Sequence, residues 1–236
     1  SYEIVLQPSA HMLDAVVVTG YQTITVNAAT DSQEKEAAQG YQTNLTGFDY
    51  KKGDWKETKD GLYSNAVDKG DCFAFSKTTA KNFVYSTDVT FKRNQGAATL
   101  IFRSNNNLDN KECYAVNIDG GSHKCKFWRW QENSDYQLID EKEVKATDDE
   151  KYTLKVVAYD SWISYYVNDT LIASTGDYTL QKDDKGQSTV LTEGSLGLLN
   201  WNGEMTFQNT YYTELNDQNT PELKNISVSS STGDVE

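Results

Sequence analysis

Between about Leu45 and Glu214, apolar and polar residues alternate in short runs that polar turns interrupt. The runs are GLYSNA, DCFAFSK, FVYSTDVTFK, AATLIFRS, ECYAVNID, KCKFWRWQ, YTLKVVAY, WISYYVND, TLIASTG, SLGLLNW and EMTFQNTYYTE. Turn chemistry separates them at Lys69-Gly70-Asp71, Gly120-Gly121, Tyr159-Asp160-Ser161 and Asn168-Asp169. Short period-two runs at this spacing predict antiparallel strands stacked as a β-sandwich, without long helices. Pro8 and Pro221 both lie outside the strand-rich middle, where a missing N–H would break a ladder.

Alternation also assigns faces, because successive side chains on a strand point to opposite sides. Phe83, Tyr85, Val89 and Phe91 share one parity and make a core face, which leaves Asp88 on the other. In ATLIFRS, Ala98, Leu100 and Phe102 point inward and Thr99, Ile101 and Arg103 outward. In ECYAVNID, Tyr114, Val116 and Ile118 point inward and Ala115, Asn117 and Asp119 outward. If the three strands are neighbours, Asp88, Arg103, Asn117 and Asp119 meet on one semi-polar surface. Arginine offers a rigid fork of donors, carboxylates accept from hydroxyls, and asparagine does both, which suits a sugar. Trp201 could stack on the apolar face of a ring. The plain alternative is a partly buried Arg–Asp pair that ties strands together.

Composition narrows the class. The net charge of −13 argues against nucleic acid, which rewards a basic footprint. No run approaches the roughly 20 apolar residues of a membrane-spanning helix. Cys72, Cys113 and Cys125 are odd in number and lack metal-knuckle spacing, so they read as small buried apolar residues without a disulfide. The Asp/Asn-rich loops at 105–109, 148–150 and 183–184 match no EF-hand; they leave a structural calcium ion open, with solvated loops the preferred reading and no cofactor expected. With 35 acidic residues, some pair always satisfies a search for glycosidase carboxylates about 5–9.5 Å apart, so that signal carries no weight. The histidines are His11 and His123, which makes a Ser–His–Asp triad a poor reading.

The ends differ from the middle. Residues 1–44 form an N-terminal extension or linker, with EKEAAQ as a candidate helical turn and Ala10-His11-Met12 looking like a cloning junction. Asp14 followed by Val16-Val17-Val18 and Gly20-Tyr21 resembles the segment that precedes the plug of TonB-dependent glycan transporters. Residues 216–236 read as a linker and the start of a following module, leaving 45–215 as the sandwich. No cleavable signal peptide is visible, so the chain is read as a piece of a longer protein or a mature form.

The middle resembles the family 66 carbohydrate-binding modules, fructan-binding sandwiches appended to glycoside hydrolase family 32 levanases and inulinases. The landmarks run in order: Leu45-Thr46-Gly47-Phe48 with Trp55, Gly70-Asp71-Cys72-Phe73, Phe83-Val84-Tyr85 through Asp88-Val89, Ala97 to Ser104, Tyr114 to Asp119, Lys126 to Trp130, Leu154 to Ala158, Tyr165 to Thr170 and Gly197 to Asn209. The resemblance implies an all-β, concanavalin-like or laminin-G-like sandwich of two antiparallel sheets with no catalytic residues and no catalysis of its own. It implies a module that grips terminal fructose of levan or inulin, or a fructo-oligosaccharide, outside or on the surface of a bacterial cell, and that serves a tethered catalytic domain. Carried over by position, the candidate carbohydrate-binding residues are Arg103, Asp88, Asn117, Asp119 and Trp201, with Asp71 as a weaker addition. Departures are Cys125, where the family often has valine, an unusually aromatic strand at Trp128 and Trp130, and Trp162, expected as an exposed ring. The alternatives are an adhesive or structural sandwich that binds another glycan or a protein, and, behind it, a glycoside-hydrolase-type enzyme.

Overall fold

The computed structural model describes residues 13–19, 22–28, 42–93, 95–131, 136–176, 191–216 and 228–230. The strands, in chain order, begin with β1 (Leu13–Thr19), β2 (Gln22–Ala28), β3 (Thr43–Asn44), β4 (Asp49–Lys52), β5 (Trp55–Thr58) and β6 (Gly61–Asn65). They continue with β7 (Asp71–Ala80), β8 (Phe83–Arg93), β9 (Ala97–Ser104), β10 (Cys113–Asp119), β11 (Lys124–Trp130) and β12 (Gln137–Glu143). The last are β13 (Lys151–Tyr159), β14 (Trp162–Val167), β15 (Thr170–Gly176), β16 (Gly194–Trp201), β17 (Glu204–Glu214) and β18 (Val228–Ser230). Among the described residues there is no helix, as the alternating pattern predicts.

The chain divides into two units, one of residues 1–42 with 215–236 and one of residues 43–214. In the first, β1, β2 and β18 form a small antiparallel sheet. The Asp14 to Val18 stretch lies on β1; Gly20, Tyr21, His11 and the EKEAAQ turn lie outside the described residues.

The second unit is the expected sandwich of two antiparallel sheets. One has the order β12-β11-β10-β9-β16-β7-β4, and the other β15-β14-β13-β8-β17-β6-β5 with β3 paired to β17. Alternation places Ala98, Leu100, Phe102, Tyr114, Val116, Ile118 and Phe127 of the first sheet in a core with Phe83, Tyr85, Val89, Phe91, Leu154 and Val156 of the second. Phe102 stacks on Tyr114 at 5.7 Å between ring centroids and meets Phe83 edge-on at 6.0 Å. Such pairs add about 0.5–1.5 kcal/mol each beyond the area they bury. The buried Tyr85 hydroxyl donates across the sandwich to the Gly197 carbonyl at 2.9 Å. The edge strand β12 is studded with charge (QLIDEKE), which blunts edge-to-edge pairing.

Three expectations change. Trp162 is not an exposed ring; it opens β14 opposite Tyr159 and is buried. Asp88 does face outward, but on the other sheet, because β8 pairs with β13 and β17 rather than with β9 or β10. Arg103 does not reach the outer face at all. Along β16 the register passes from Ser195↔Ser104 to Gly197↔Ile101, so Phe102 and Arg103 both stand opposite Leu196. This is a β-bulge, and Arg103 adopts a φ of 49° within it. The side chain turns into the protein and is 0% exposed. Its Nη1 donates to the Leu191 carbonyl at 3.0 Å, and its Nη2 to those of Lys81 at 3.1 Å and Asp160 at 2.6 Å. The arginine thus ties a strand of one sheet to the β13–β14 turn of the other.

Because three carbonyls lose a charged donor together, Arg103→Ala is expected to lower unfolding free energy by about 3 kcal/mol or more in urea titrations. Unchanged stability would refute this tie. Cys72, Cys113 and Cys125 are free and buried, and burial pushes the Cys113 and Cys125 thiols up to about 12. Alkylation with iodoacetamide should therefore label none of the three in the native protein and all three after denaturation.

Candidate functional site

The outer face of the seven-stranded sheet has cross-strand rows set by register. One row runs Asp71–Trp201–Ala97–Asp119, and the next Phe73–Leu199–Thr99–Asn117–Lys126. A third runs Phe75–Gly197–Ile101–Ala115–Trp128. The central strands β9 and β10 thus carry small side chains outward, at Ala97, Thr99 and Ala115. Larger ones stand on the strands to either side. The result is a cavity of about 770 Å³ lined by Asp71, Ala97, Thr99, Asn117, Asp119, Lys126, Trp128, Trp130, Tyr136 and Trp201, among others. This volume lies within the roughly 300–1,000 Å³ of small-molecule sites.

One wall is the β9–β10 loop, which sequence reading takes as solvated. Its asparagines bond the loop to itself. Asn105 Oδ1 accepts from the Asn107 and Glu112 amides, Asn107 Oδ1 from those of Asp109 and Asn110, and Asn105 Nδ2 donates to the Asn110 carbonyl. Leu108 packs on an outer apolar cluster of Phe73, Phe75, Ile101, Cys113 and Leu199. Asp109, Asn110 and Lys111 then line the cavity, with Lys111 Nζ 5.9 Å from the ring centroids of both Phe73 and Trp130. Among the described residues, no cluster of three or more His, Cys, Asp or Glu side chains is arranged for a metal ion.

The opposite rim is Trp201, 46% exposed at the end of β16. Its turn is held firmly. Asn200 bonds to Gly203 and to Ser64 of the other sheet, and the Asn202 amide donates to the Gly70 carbonyl at 3.0 Å. Gly96 has a φ of 78°, and a Cβ there would lie 2.2 Å from the Trp201 carbonyl oxygen, so only glycine fits beneath this turn.

At the centre, Asp119 is already occupied. Its Oδ1 accepts from the Gly121 and Ser122 amides, and its Oδ2 from Ser122 Oγ at 2.6 Å and Lys126 Nζ at 2.9 Å. Burial pushes its carboxyl up, but the Ser122 and Lys126 contacts outweigh this and hold it below the usual aspartate range. Asp119 therefore positions the Lys126 ammonium over the floor. Other polar groups on the lining residues have no protein partner. Thr99 Oγ1, Asn117 Oδ1 and Trp130 Nε1 are buried without a hydrogen-bond partner, and the Asp71 carboxylate makes no bond to another described residue. Buried polar atoms in folded proteins are normally satisfied, so three in one cavity point to a ligand or water there.

Of the residues predicted from sequence, the structure brings together Asp71, Asn117, Asp119 and Trp201. Arg103 lies inside the protein, and Asp88 sits on the other sheet, accepting from Thr153 Oγ1 at 2.6 Å, Asn209 Nδ2 at 2.8 Å and Lys151 Nζ at 3.2 Å. The cation that stands over the floor is Lys126, not Arg103. Sequence reading missed Lys126, Lys111, Thr99 and Tyr136. Parity carries the signal for Thr99 and Lys126, which share a face with Asn117.

A two-sheet antiparallel sandwich with a tryptophan-rimmed pocket on one outer face has the architecture of the lectin-like β-sandwiches. Residues 31–212 match the 3-keto-alpha-glucoside-1,2-lyase-like domain, and the chain belongs to that family. A fructan beta-fructosidase of Streptococcus mutans serotype c is 61% identical over 184 residues, 78% of this chain and 13% of that protein. A levanase of Bacillus subtilis is 30% identical over 171 residues, 72% of this chain and 23% of that protein. The carbohydrate-binding module CBM66 from Bacillus subtilis superimposes with a TM-score of 0.62 at 28% identity, over 72% of this chain and 98% of that module. The chain spans less than a quarter of these two curated relatives and is similar to nearly the whole of CBM66. The chain is thus a CBM66-like carbohydrate-binding module, as its sequence resemblance implies.

The acid limb of stability tests the carboxylate contacts. Burial also pushes the Asp88 carboxyl up, and bonds from Thr153, Asn209 and Lys151 bring it below its ordinary value. With folded-state values below unfolded ones, both carboxylates stabilise the fold above about pH 4, and this is lost as pH falls through the folded-state values. Thermal unfolding should therefore show a shallower decline below about pH 4 in D88N/D119N than in the parent, from a lower starting stability at neutral pH. Equal acid slopes would refute the assignment.

Proposed function

We propose that this module binds fructan, of the levan or inulin type, through the terminal fructose, and holds a tethered glycoside hydrolase near its polysaccharide outside the bacterial cell or on its surface. The observation that carries this reading is the exposed Trp201 beside unpartnered polar groups, Asp71, Thr99 and Asn117, in one cavity. The similarity to parts of a fructan beta-fructosidase and a levanase supports the choice of fructan. In this arrangement Trp201 stacks on the apolar face of a sugar ring, Lys126 donates to hydroxyl oxygens, Asp71 accepts from hydroxyls and Asn117 does either. No nucleic acid partner fits a chain with a net charge of −13.

Affinity for a single sugar should be weak, because each hydroxyl exchanges water for protein and gains little net. The benefit is local concentration: a bound module raises the effective concentration of its enzyme at the substrate to a level its linker sets.

Native gel electrophoresis with levan, inulin, xylan and starch in the matrix tests this. Levan or inulin should retard the parent protein, xylan and starch should not, and Trp201→Ala should weaken binding at least about tenfold, or about 1.4 kcal/mol. Retardation by none would favour the adhesive alternative, and release of reducing sugar from fructan would favour an enzyme.

A further inference from the structure

The cavity extends well past the groups that a terminal sugar needs. Its far end is an aromatic wall on β11 and the segment that leads into β12. Trp128 meets Tyr136 edge-to-face at 5.0 Å and 90°, and Trp130 lies 6.4 Å from the same ring. Tyr136 is 60% exposed, so its ring is accessible to a ligand. A register shift between Phe127 and Trp128, where β11 meets β12, bends the sheet at the wall. Trp130 Nε1 is a buried donor with no acceptor and lines the same cavity.

The spacing of the two aromatic ends decides what fits. Trp201 opposes Ala97, Ala97 opposes Asp119, and Asp119 opposes Lys124, so β16 and β11 are three strands apart. Trp128 lies four residues beyond Lys124 on β11. At about 4.8 Å per strand and 3.3 Å per residue, the Cα atoms of Trp201 and Trp128 are about 20 Å apart. One furanose or pyranose ring cannot stack on both. A short chain of linked units can, with Lys126 and Asn117 beneath it.

Building on the fructan reading, we infer that the module has a second subsite formed by Trp128, Trp130 and Tyr136, so that it binds a short stretch of chain behind the terminal sugar. The Trp201 end grips the terminal unit, and the aromatic wall carries the units that follow.

Calorimetric titration of the intact chain with fructose and with levan-type oligosaccharides of increasing length tests this. Affinity should rise at least about tenfold from the monosaccharide to the trisaccharide or tetrasaccharide and then level off. Trp128→Ala should lose the gain with length; because its ring lies 5.9 Å from Lys126 Nζ, unchanged fructose affinity is expected of Tyr136→Ala. Tyr136→Ala, at an exposed position, should reduce the same gain and provides the result if Trp128→Ala does not fold. Trp201→Ala should weaken every length equally. Affinity that is the same for fructose and the longer chains, or a length gain that survives both wall variants, overturns the second subsite and leaves the fructan reading standing. Absence of binding at every length overturns both.

Discussion

Strands β9 and β10 are buried on both faces, and the site depends on how they meet that constraint. A sheet in a sandwich normally offers one face to the core and one to water. Here the inner face takes large side chains, Leu100, Phe102, Tyr114 and Val116, and the outer face takes small ones at Ala97, Thr99 and Ala115. Small residues between tall neighbours leave a depression, and the self-bonded loop at residues 105–112 closes one side of it. The pocket follows from the same alternation that builds the core.

Polar groups inside the sandwich are handled in two ways, and the contrast separates scaffold from site. Arg103 spends donors on three backbone carbonyls, and Asp119 accepts four hydrogen bonds from Gly121, Ser122 and Lys126. Such groups are costly to disturb and fix the shape around them. Thr99, Asn117 and Trp130 instead present buried polar atoms with no protein partner. A satisfied group needs no ligand. An unsatisfied one gains by meeting a partner, which is why the proposed site is built on these residues.

The fold was legible because alternation is a local property. Parity alone assigned the inward faces of ATLIF and ECYAVNID correctly, and turn residues gave the hairpin breaks. The site was legible in part, for physical reasons. Parity states which face a residue takes but not which sheet its strand joins, so Asp88 was placed with neighbours it never meets. A bulge resets parity, and the one at Arg103 arises from pairing with Leu196, far along the chain. The Asn-rich loop carried a legible signal, since Asn105, Asn107 and Asp109 repeat at the spacing of successive Asx turns. Those bonds order a loop whose Asn105, Asn107, Asp109 and Asn110 stay exposed, as expected, while its 109–111 end lines the cavity. Trp128 and Trp130 stood out as an unusual aromatic pair, but their partner Tyr136 is separated from them by residues with no periodic pattern.

The division of labour within the pocket bears on how such a module works. In the proposed function, a tethered enzyme would gain when the module stays on the polymer for long enough. Single-sugar contacts on a polar floor yield only small net gains, since each replaces a hydrogen bond to water. Aromatic surface is different, because its contribution does not require desolvating a polar group and scales with the number of rings covered. On the proposed reading, Trp201 with Asn117 and Lys126 would choose the sugar, and the aromatic wall of Trp128 and Tyr136 would set the residence time. The two meet at Lys126, whose Nζ lies 5.9 Å from the Trp128 ring centroid, so a change at the exposed Tyr136 would separate retention from selection more cleanly than one at Trp128.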